Sequence, residues 1–300
     1  RSALHVYYRT SWQRDVNYPL LGYERFDSIE SFIDNDAIDE YRNGNKSFLD
    51  FQAAVKAQYP NDNVLLRSFV SDEFDYKLLE QMYEERDTSK PFHIFNVTMQ
   101  NHGSYNSGYT NFNQQIRLTS MDEYYPAANR YLSLMYESDQ AFKHLVEYFS
   151  KVKEPTIICM FGDHQPADYI TNVVDTGKVM DEGDDSISSI GTGSDRKERY
   201  IVPFVMWANY DIDESQGEET SANYLAVRLL KAAGLPLTDF QSYLSDLEQE
   251  VPFVSAHVLK ENQETESSTD TADNLLKVYK KLLYNDLFDT KHRLENFFSY

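Results

Sequence analysis

The run Thr156-Ile-Ile-Cys-Met-Phe161 is continuous rather than alternating, and it ends in Gly162-Asp163-His164. A short uninterrupted run of this kind reads as a strand buried on both faces, as in a parallel sheet covered by helices. Ala3–Tyr8 and Phe92–Thr98 are runs of similar length, and Ile201–Ala208 contains Pro203, which points to a strand beginning or an edge. Helical patterns separate these runs. Pro126 suits a first helical position, and Tyr131, Leu134, Met135, Ser138, Phe142, Leu145 and Phe149 follow it as one apolar stripe. Asn223–Ala233 is closed by Gly234 and Pro236, and Leu275–Phe288 carries Leu275, Val278, Tyr279, Leu282 and Leu283 on one side. The alternation predicts an α/β fold, three-layer α/β/α with a mostly parallel central sheet. Asp181–Asp195 reads as an exposed loop and Glu261–Asp273 as an acidic linker. Residues 1–260 are therefore expected to form the main domain, with 261–300 a polar linker and C-terminal helix.

At 300 residues the chain can bury one large α/β core or two ordinary ones. Lys+Arg 28 against Asp+Glu 49 gives a net charge of −21, which repels a nucleic-acid backbone and demotes DNA or RNA as partners. No stretch approaches the roughly 18 consecutive apolar residues of a membrane span. Cys159 is the single cysteine, which excludes an intrachain disulfide framework or a Cys-rich zinc module. Inside its apolar run it reads as a small buried hydrophobe. The opening Arg-Ser-Ala-Leu-His lacks Met and is already strand-like, so the chain reads as a fragment truncated at the N-terminus or a processed product.

Polar clusters follow three of the apolar runs. Asp163 and His164 come directly after Phe161, where parallel strands present side chains to a ligand crevice. Carboxylate oxygen and imidazole nitrogen together suit zinc or manganese, with Gly162 letting the backbone turn. The bland alternative is an Asp cap beside a surface His. His102 follows the strand-like Phe92–Thr98, where an imidazole can bind an anionic oxygen or shuttle a proton; a loop hydrogen bond is the plainer alternative. His5 precedes Trp12-Gln13-Arg14-Asp15, in which Arg14 can clamp a phosphate or sulfate and Trp12 offers a flat wall. A surface Arg–Asp pair and a core Trp would explain the same residues. If the strands are parallel, all these groups converge on one crevice. A metal-ligand pair beside an arginine and a histidine suits transfer chemistry on an anionic ester.

The segments Leu4-His5, Ser11-Trp12-Gln13-Arg14-Asp15, Tyr18, Leu21-Gly22-Tyr23-Glu24-Arg25-Phe26, Thr98-Met-Gln-Asn101-His102 and Gly162-Asp163-His164 resemble the extracellular domain of lipoteichoic acid synthases. These are sulfatase-like phosphoglycerol transferases of the alkaline phosphatase superfamily, and Arg199–Trp207 fits a later strand of the same domain. The likeness covers residues 1 to about 240. Gly-Asp-His is shared with sulfatases and phosphoethanolamine transferases; the Trp-x-Arg-Asp segment tilts the reading to glycerol phosphate. The resemblance implies an alkaline phosphatase/sulfatase-like fold. Asp163 and His164 would ligate a divalent metal (manganese, with zinc or magnesium as alternatives), and His102 would serve as the catalytic imidazole. Trp12, Arg14 and the more outlying His5 would bind substrate.

It further implies a phosphatidylglycerol-like lipid donor, a glycerol-phosphate polymer or glycan acceptor, and a location on the extracellular face of a bacterial membrane. The family's threonine nucleophile, a glutamate ligand and its membrane helices would precede Arg1, leaving this polypeptide inactive alone; Thr10 and Thr98 do not match the nucleophile. The alternatives are a sulfatase or phosphoethanolamine transferase on the same scaffold, or a non-catalytic anion-binding domain. The acidic surface opposes an anionic lipid at long range, so a local positive focus at Arg14 and the metal is needed. Screening beyond about 8 Å makes that tolerable.

Overall fold

A computed structural model describes residues 1–105, 108–119, 125–166, 170, 200–254 and 270–299. The loop read at 181–195, the Gly191-Thr-Gly193 segment, His257 and most of the acidic stretch 261–273 lie outside them. The chain divides into two compact units, Arg1–Lys151 with Pro166–Asp185, and Val152–Gln165 with Ser186–Tyr300.

The first unit runs β1 (Ser2–His5), α1 (Arg14–Leu20), β2 (Arg25–Ser28), α2 (Asn35–Arg42), α3 (Phe48–Gln58), β3 (Leu65–Leu66), β4 (Phe69–Val70), α4 (Asp72–Glu84), β5 (Ile94–Val97) and α5 (Pro126–Phe149). β1 lies between β2 and β5 and is parallel to both, so the central sheet has the expected sense. All four residues of β1 are buried, as a central strand with helices on both faces requires.

Register explains the two faces. Ala3 is opposite Phe26 and Phe95, and with Tyr18 of α1 and Tyr23 these form one apolar cluster. His5, two residues beyond Ala3, points to the same side and therefore toward the start of α1. Asn96 is opposite Leu4, and its amide donates to Asp75 of α4 on the other side. α4 is capped by Ser71, whose hydroxyl accepts from the Phe74 N–H at 3.2 Å. It packs on α5 through Tyr83 and Phe149, ring centroids 5.1 Å apart.

α5 begins at Pro126 as its sequence predicts, but its buried face is shifted from the expected stripe. Leu134, Ala141, Leu145 and Phe149 are buried, whereas Met135 is exposed. The difference comes from polar residues that the packing needs inside. Ser133 accepts the N–H groups of Gln115 and Ile116, and Asn129 that of Leu118, so the neighbouring segment is held by hydrogen bonds.

The second unit contains β6 (Ile157–Phe161), β7 (Phe204–Ala208), α6 (Ala222–Ala232), α7 (Asp239–Glu250), α8 (Asp270–Phe288) and α9 (Glu295–Phe298). β6 corrects one expectation. It pairs antiparallel with β7, and its residues are half-buried, with Phe161 exposed, rather than enclosed on both faces. An uninterrupted apolar run specifies neither the direction of its partner nor what covers it. β7 starts immediately after Pro203, as expected. α6 ends where Gly234, at φ +65°, adopts the left-handed conformation that its sequence position calls for. α8 begins at Asp270, inside the stretch read as linker, and Leu275, Leu276 and Tyr279 pack on Tyr224, Val227, Leu244 and Leu247. Among the described residues no helix is long and apolar enough to cross a membrane.

Candidate anion-binding site

His5 ends β1, fully buried, and neither ring nitrogen has a hydrogen-bond partner. Burial first, and the nearby Arg14 charge second, push its pKa down from 6.5 to about 3. The imidazole is therefore neutral at physiological pH, with one nitrogen to donate and one to accept. A buried polar ring without a partner costs stability, which makes it a reporter of a ligand.

Downstream, Trp12 and Gln13 both hold positive φ, 53° and 55°. Two consecutive side-chain-bearing residues in the left-handed region are sterically disfavoured, and such strain gathers at functional positions. The bend leaves Trp12 56% exposed, so it is a surface wall rather than a core tryptophan. It also returns Arg14 beneath the indole, with the guanidinium carbon 5.4 Å from the Trp12 ring and 5.5 Å from the Tyr18 ring. Arg14 donates to the Tyr18 hydroxyl, and its Nε is buried without a partner. Among the described ion pairs none joins it to Asp15, so the plain surface-pair reading does not describe it. The His5 and Trp12 rings are 5.5 Å apart.

Two aromatic residues that the sequence reading did not single out link this group to His102. Tyr7 lies 5.7 Å from Trp12 and 6.2 Å from Phe69, and Phe69 lies 5.6 Å from His102, all between ring centroids. His5, Trp12 and Arg14 are thus grouped beyond the carboxyl end of β1, and a relay of ring contacts through Tyr7 and Phe69 leads from them to His102, beyond the end of β5. His102 is exposed, and its Nδ1 lies 2.9 Å from the Gly103 carbonyl. A carbonyl only accepts, so Nδ1 donates, and Nε2 is the nitrogen left to meet a ligand. The Thr98 hydroxyl is engaged with the Asp72 carboxylate.

In the second unit Asp163 and His164 follow β6, 81% and 72% exposed at the side chain. Asp163 accepts the His164 backbone N–H at 2.9 Å, and its other oxygen lies 3.6 Å from His164 Nε2. His164 Nδ1 donates to the Gln165 carbonyl at 2.7 Å, leaving Nε2 as an electron-pair donor beside the carboxylate. Oxygen and nitrogen at that separation fit two ligands of a single divalent ion. Among the described residues no group of three or more His, Cys, Asp or Glu is assembled, so the pair is a partial donor set. Gly162 also has a packing reason. Its φ is not left-handed, and a Cβ there would meet Val202 Cβ at 3.2 Å. Close approach of Val202 is thus a packing reason for a glycine here, beside the bend that follows at Asp163 and His164. Cys159 is half-buried, and desolvation raises its thiol pKa, consistent with an unreactive side chain.

A sulfatase family model matches residues 2–235. A putative cyclic β-1,2-glucan modification protein of Rhizobium meliloti is 25% identical over 245 residues, 77% of this chain but 36% of the relative. The phosphoglycerol transferase GacH of Streptococcus pyogenes, solved in complex with sn-glycerol-1-phosphate, superposes with a TM-score of 0.64 at 14% identity, covering 100% of this chain and 64% of that one. The lipoteichoic acid synthase LtaP of Listeria monocytogenes gives a TM-score of 0.42 at 15% identity, with 68% and 42% covered. The chain therefore spans about a third of the curated relative's length and under two thirds of the GacH structure.

Proposed function

The chain belongs to the sulfatase family, and on that premise we propose that it carries part of the machinery of a metal-dependent phosphoglycerol transferase. The donor is a phosphatidylglycerol-like lipid, and the acceptor a glycerol-phosphate polymer or glycan, at the outer face of a bacterial membrane. The observation that carries this reading is Arg14, set by the Trp12 ring and the Tyr18 hydroxyl, near a buried imidazole with no partner of its own. That arrangement suits a compact dianion bearing a small carbon skeleton. The GacH fold neighbour, solved with sn-glycerol-1-phosphate, supports the choice of glycerol phosphate.

In this reading Arg14 neutralises the phosphate oxygens and Trp12 covers the glycerol carbons. Neutral His5 hydrogen-bonds the substrate without adding charge, and His102 Nε2 receives or returns the proton of a glycerol hydroxyl. Asp163 and His164, in the second unit, would be two ligands of a divalent metal, which when bound would supply positive charge for chemistry on an anionic ester. No residue of the chain is assigned as nucleophile, so the chain by itself is expected to bind glycerol phosphate without turning it over.

The test is a titration with sn-glycerol 1-phosphate followed by tryptophan emission. Trp12 and Trp207 are the two indoles, so Trp12→Phe isolates the contribution at the site. A saturable change carried by Trp12 is expected. Its absence in the parent chain removes the proposal, and an equal response to inorganic sulfate moves the reading to a sulfate ester. Manganese retention, followed by electron paramagnetic resonance, is expected to fall in Asp163→Ala and in His164→Ala. The loss should be at least the roughly 10–100-fold that follows removal of an outer-shell partner. Unchanged retention in both variants would end the ligand assignment.

A further inference from the structure

β3 and β4 form a hairpin in which Leu65 pairs with Val70 and Leu66 with Phe69, so Arg67 and Ser68 are the two central residues of the turn. Hairpin turns of this length use positive φ at the first central residue, where glycine or asparagine is usual. Arg67 occupies that position with φ 53°. Keeping a long side chain in a strained backbone position points to a task for that side chain.

The guanidinium is buried and collects carbonyls from a single loop. Nη1 donates to Ser104 at 2.6 Å, and Nη2 donates to Gln100 at 2.7 Å and to His102 at 2.8 Å. Carbonyl oxygens drawn together in this way repel one another, and the cation holds them. The turn is itself braced by Asn111, whose amide donates to the Leu65 and Arg67 carbonyls. Two residues after Arg67, Phe69 lies beside the His102 ring. One hairpin therefore holds both the backbone of His102 and one side of its imidazole.

We infer that Arg67 is a positioning residue of the glycerol-phosphate site, clamping the 100–104 loop so that His102 faces bound phosphoglycerol. The inference rests on the reading of that site proposed above. It is tested on the same chain with Arg67→Lys and Arg67→Gly, each alone and combined with His102→Ala. Glycine suits the left-handed turn, so Arg67→Gly removes the clamp while sparing the hairpin; Arg67→Lys keeps the charge.

Affinity for sn-glycerol 1-phosphate, read from Trp12 emission, is expected to fall about tenfold in Arg67→Gly, the loss of one hydrogen bond to a charged group. Arg67→Lys should recover part of it. His102→Ala should lose a similar factor, and the double variants no more than His102→Ala alone. In the parent chain the His102 imidazole NMR signals should move on ligand addition, a readout that needs no variant to fold.

Unchanged affinity in both Arg67 variants, losses that add to that of His102→Ala, or an imidazole signal indifferent to ligand would each overturn the role. Failure of the parent chain to bind glycerol phosphate at all is a different result, and it would remove the underlying site reading instead.

Discussion

Arg14→Ala is expected to weaken sn-glycerol 1-phosphate binding about 100-fold at low ionic strength, the combined loss of two charge-assisted hydrogen bonds. Thermal stability should hardly fall. The expectation follows from what the guanidinium does in the free protein: it hydrogen-bonds the Tyr18 hydroxyl and lies 5.4 Å from the Trp12 ring centroid, with Nε unpartnered. A cation so placed adds little to folding and much to anion capture. Arg14→Lys should lose most of the same affinity, because an ammonium keeps the charge but not the planar fork of donors. A second readout comes from His5, whose titration should move upward in Arg14→Ala when the neighbouring charge is removed. It should stay below the ordinary histidine range, since burial is the larger cause of its depression. Undiminished affinity in Arg14→Ala, measured by calorimetry, would take the anion site away from this segment.

That group was legible in the sequence because its parts lie close along the chain. His5 ends a strand and Arg14 begins the helix that follows, so one short connection assembles most of the site. His102 was legible for a related reason: the parallel sheet brings the ends of β1 and β5 to one rim. Arg67 was not, because its turn carries neither glycine nor asparagine and the hydrogen bonds that justify it join residues more than thirty positions apart. Direction of strand pairing was equally hidden. The apolar pattern of 157–161 is the same for a parallel strand and for the antiparallel partner of 204–208 that it proves to be. The likeness to the sulfatase scaffold had a different source, short motifs in order, and the match to residues 2–235 places the chain in that family.

Asp72 and Asp75 show most plainly what pattern reading misses, since acidic residues in the first turn of a helix ordinarily face solvent and favour the helix dipole. Here both are buried, Asp75 against Asn96 of β5 and Asp72 against Ser138 of α5. Burial raises Asp72 to about 6 against the pull of Ser138, Thr98 and the Gln100 N–H, and raises Asp75 well above the ordinary range against the pull of Asn96. A carboxyl whose pKa is higher in the folded state contributes its stability below the unfolded value near 3.8, and that contribution is lost as pH rises toward the folded value. His5 acts in the opposite sense, because its depressed pKa makes the fold less stable as pH falls from 6.5 toward about 3.

The two trends overlap, so the parent chain alone does not separate them, but a difference between variants does. Asp75→Asn keeps an acceptor for the Asn96 amide and brings a donor to Asn96 Oδ1, which lacks a partner. Near pH 4 it is expected to match the parent chain. Above that its stability should exceed the parent's by an amount growing at about 1.4 kcal/mol per pH unit, until the carboxyl of the folded parent ionises. His5 is common to both proteins and cancels. Urea unfolding of the two chains between pH 4 and 8 measures this directly. A gap that stays constant across the range would mean that Asp75 is charged in the folded protein, and the buried neutral carboxyl would have to be abandoned.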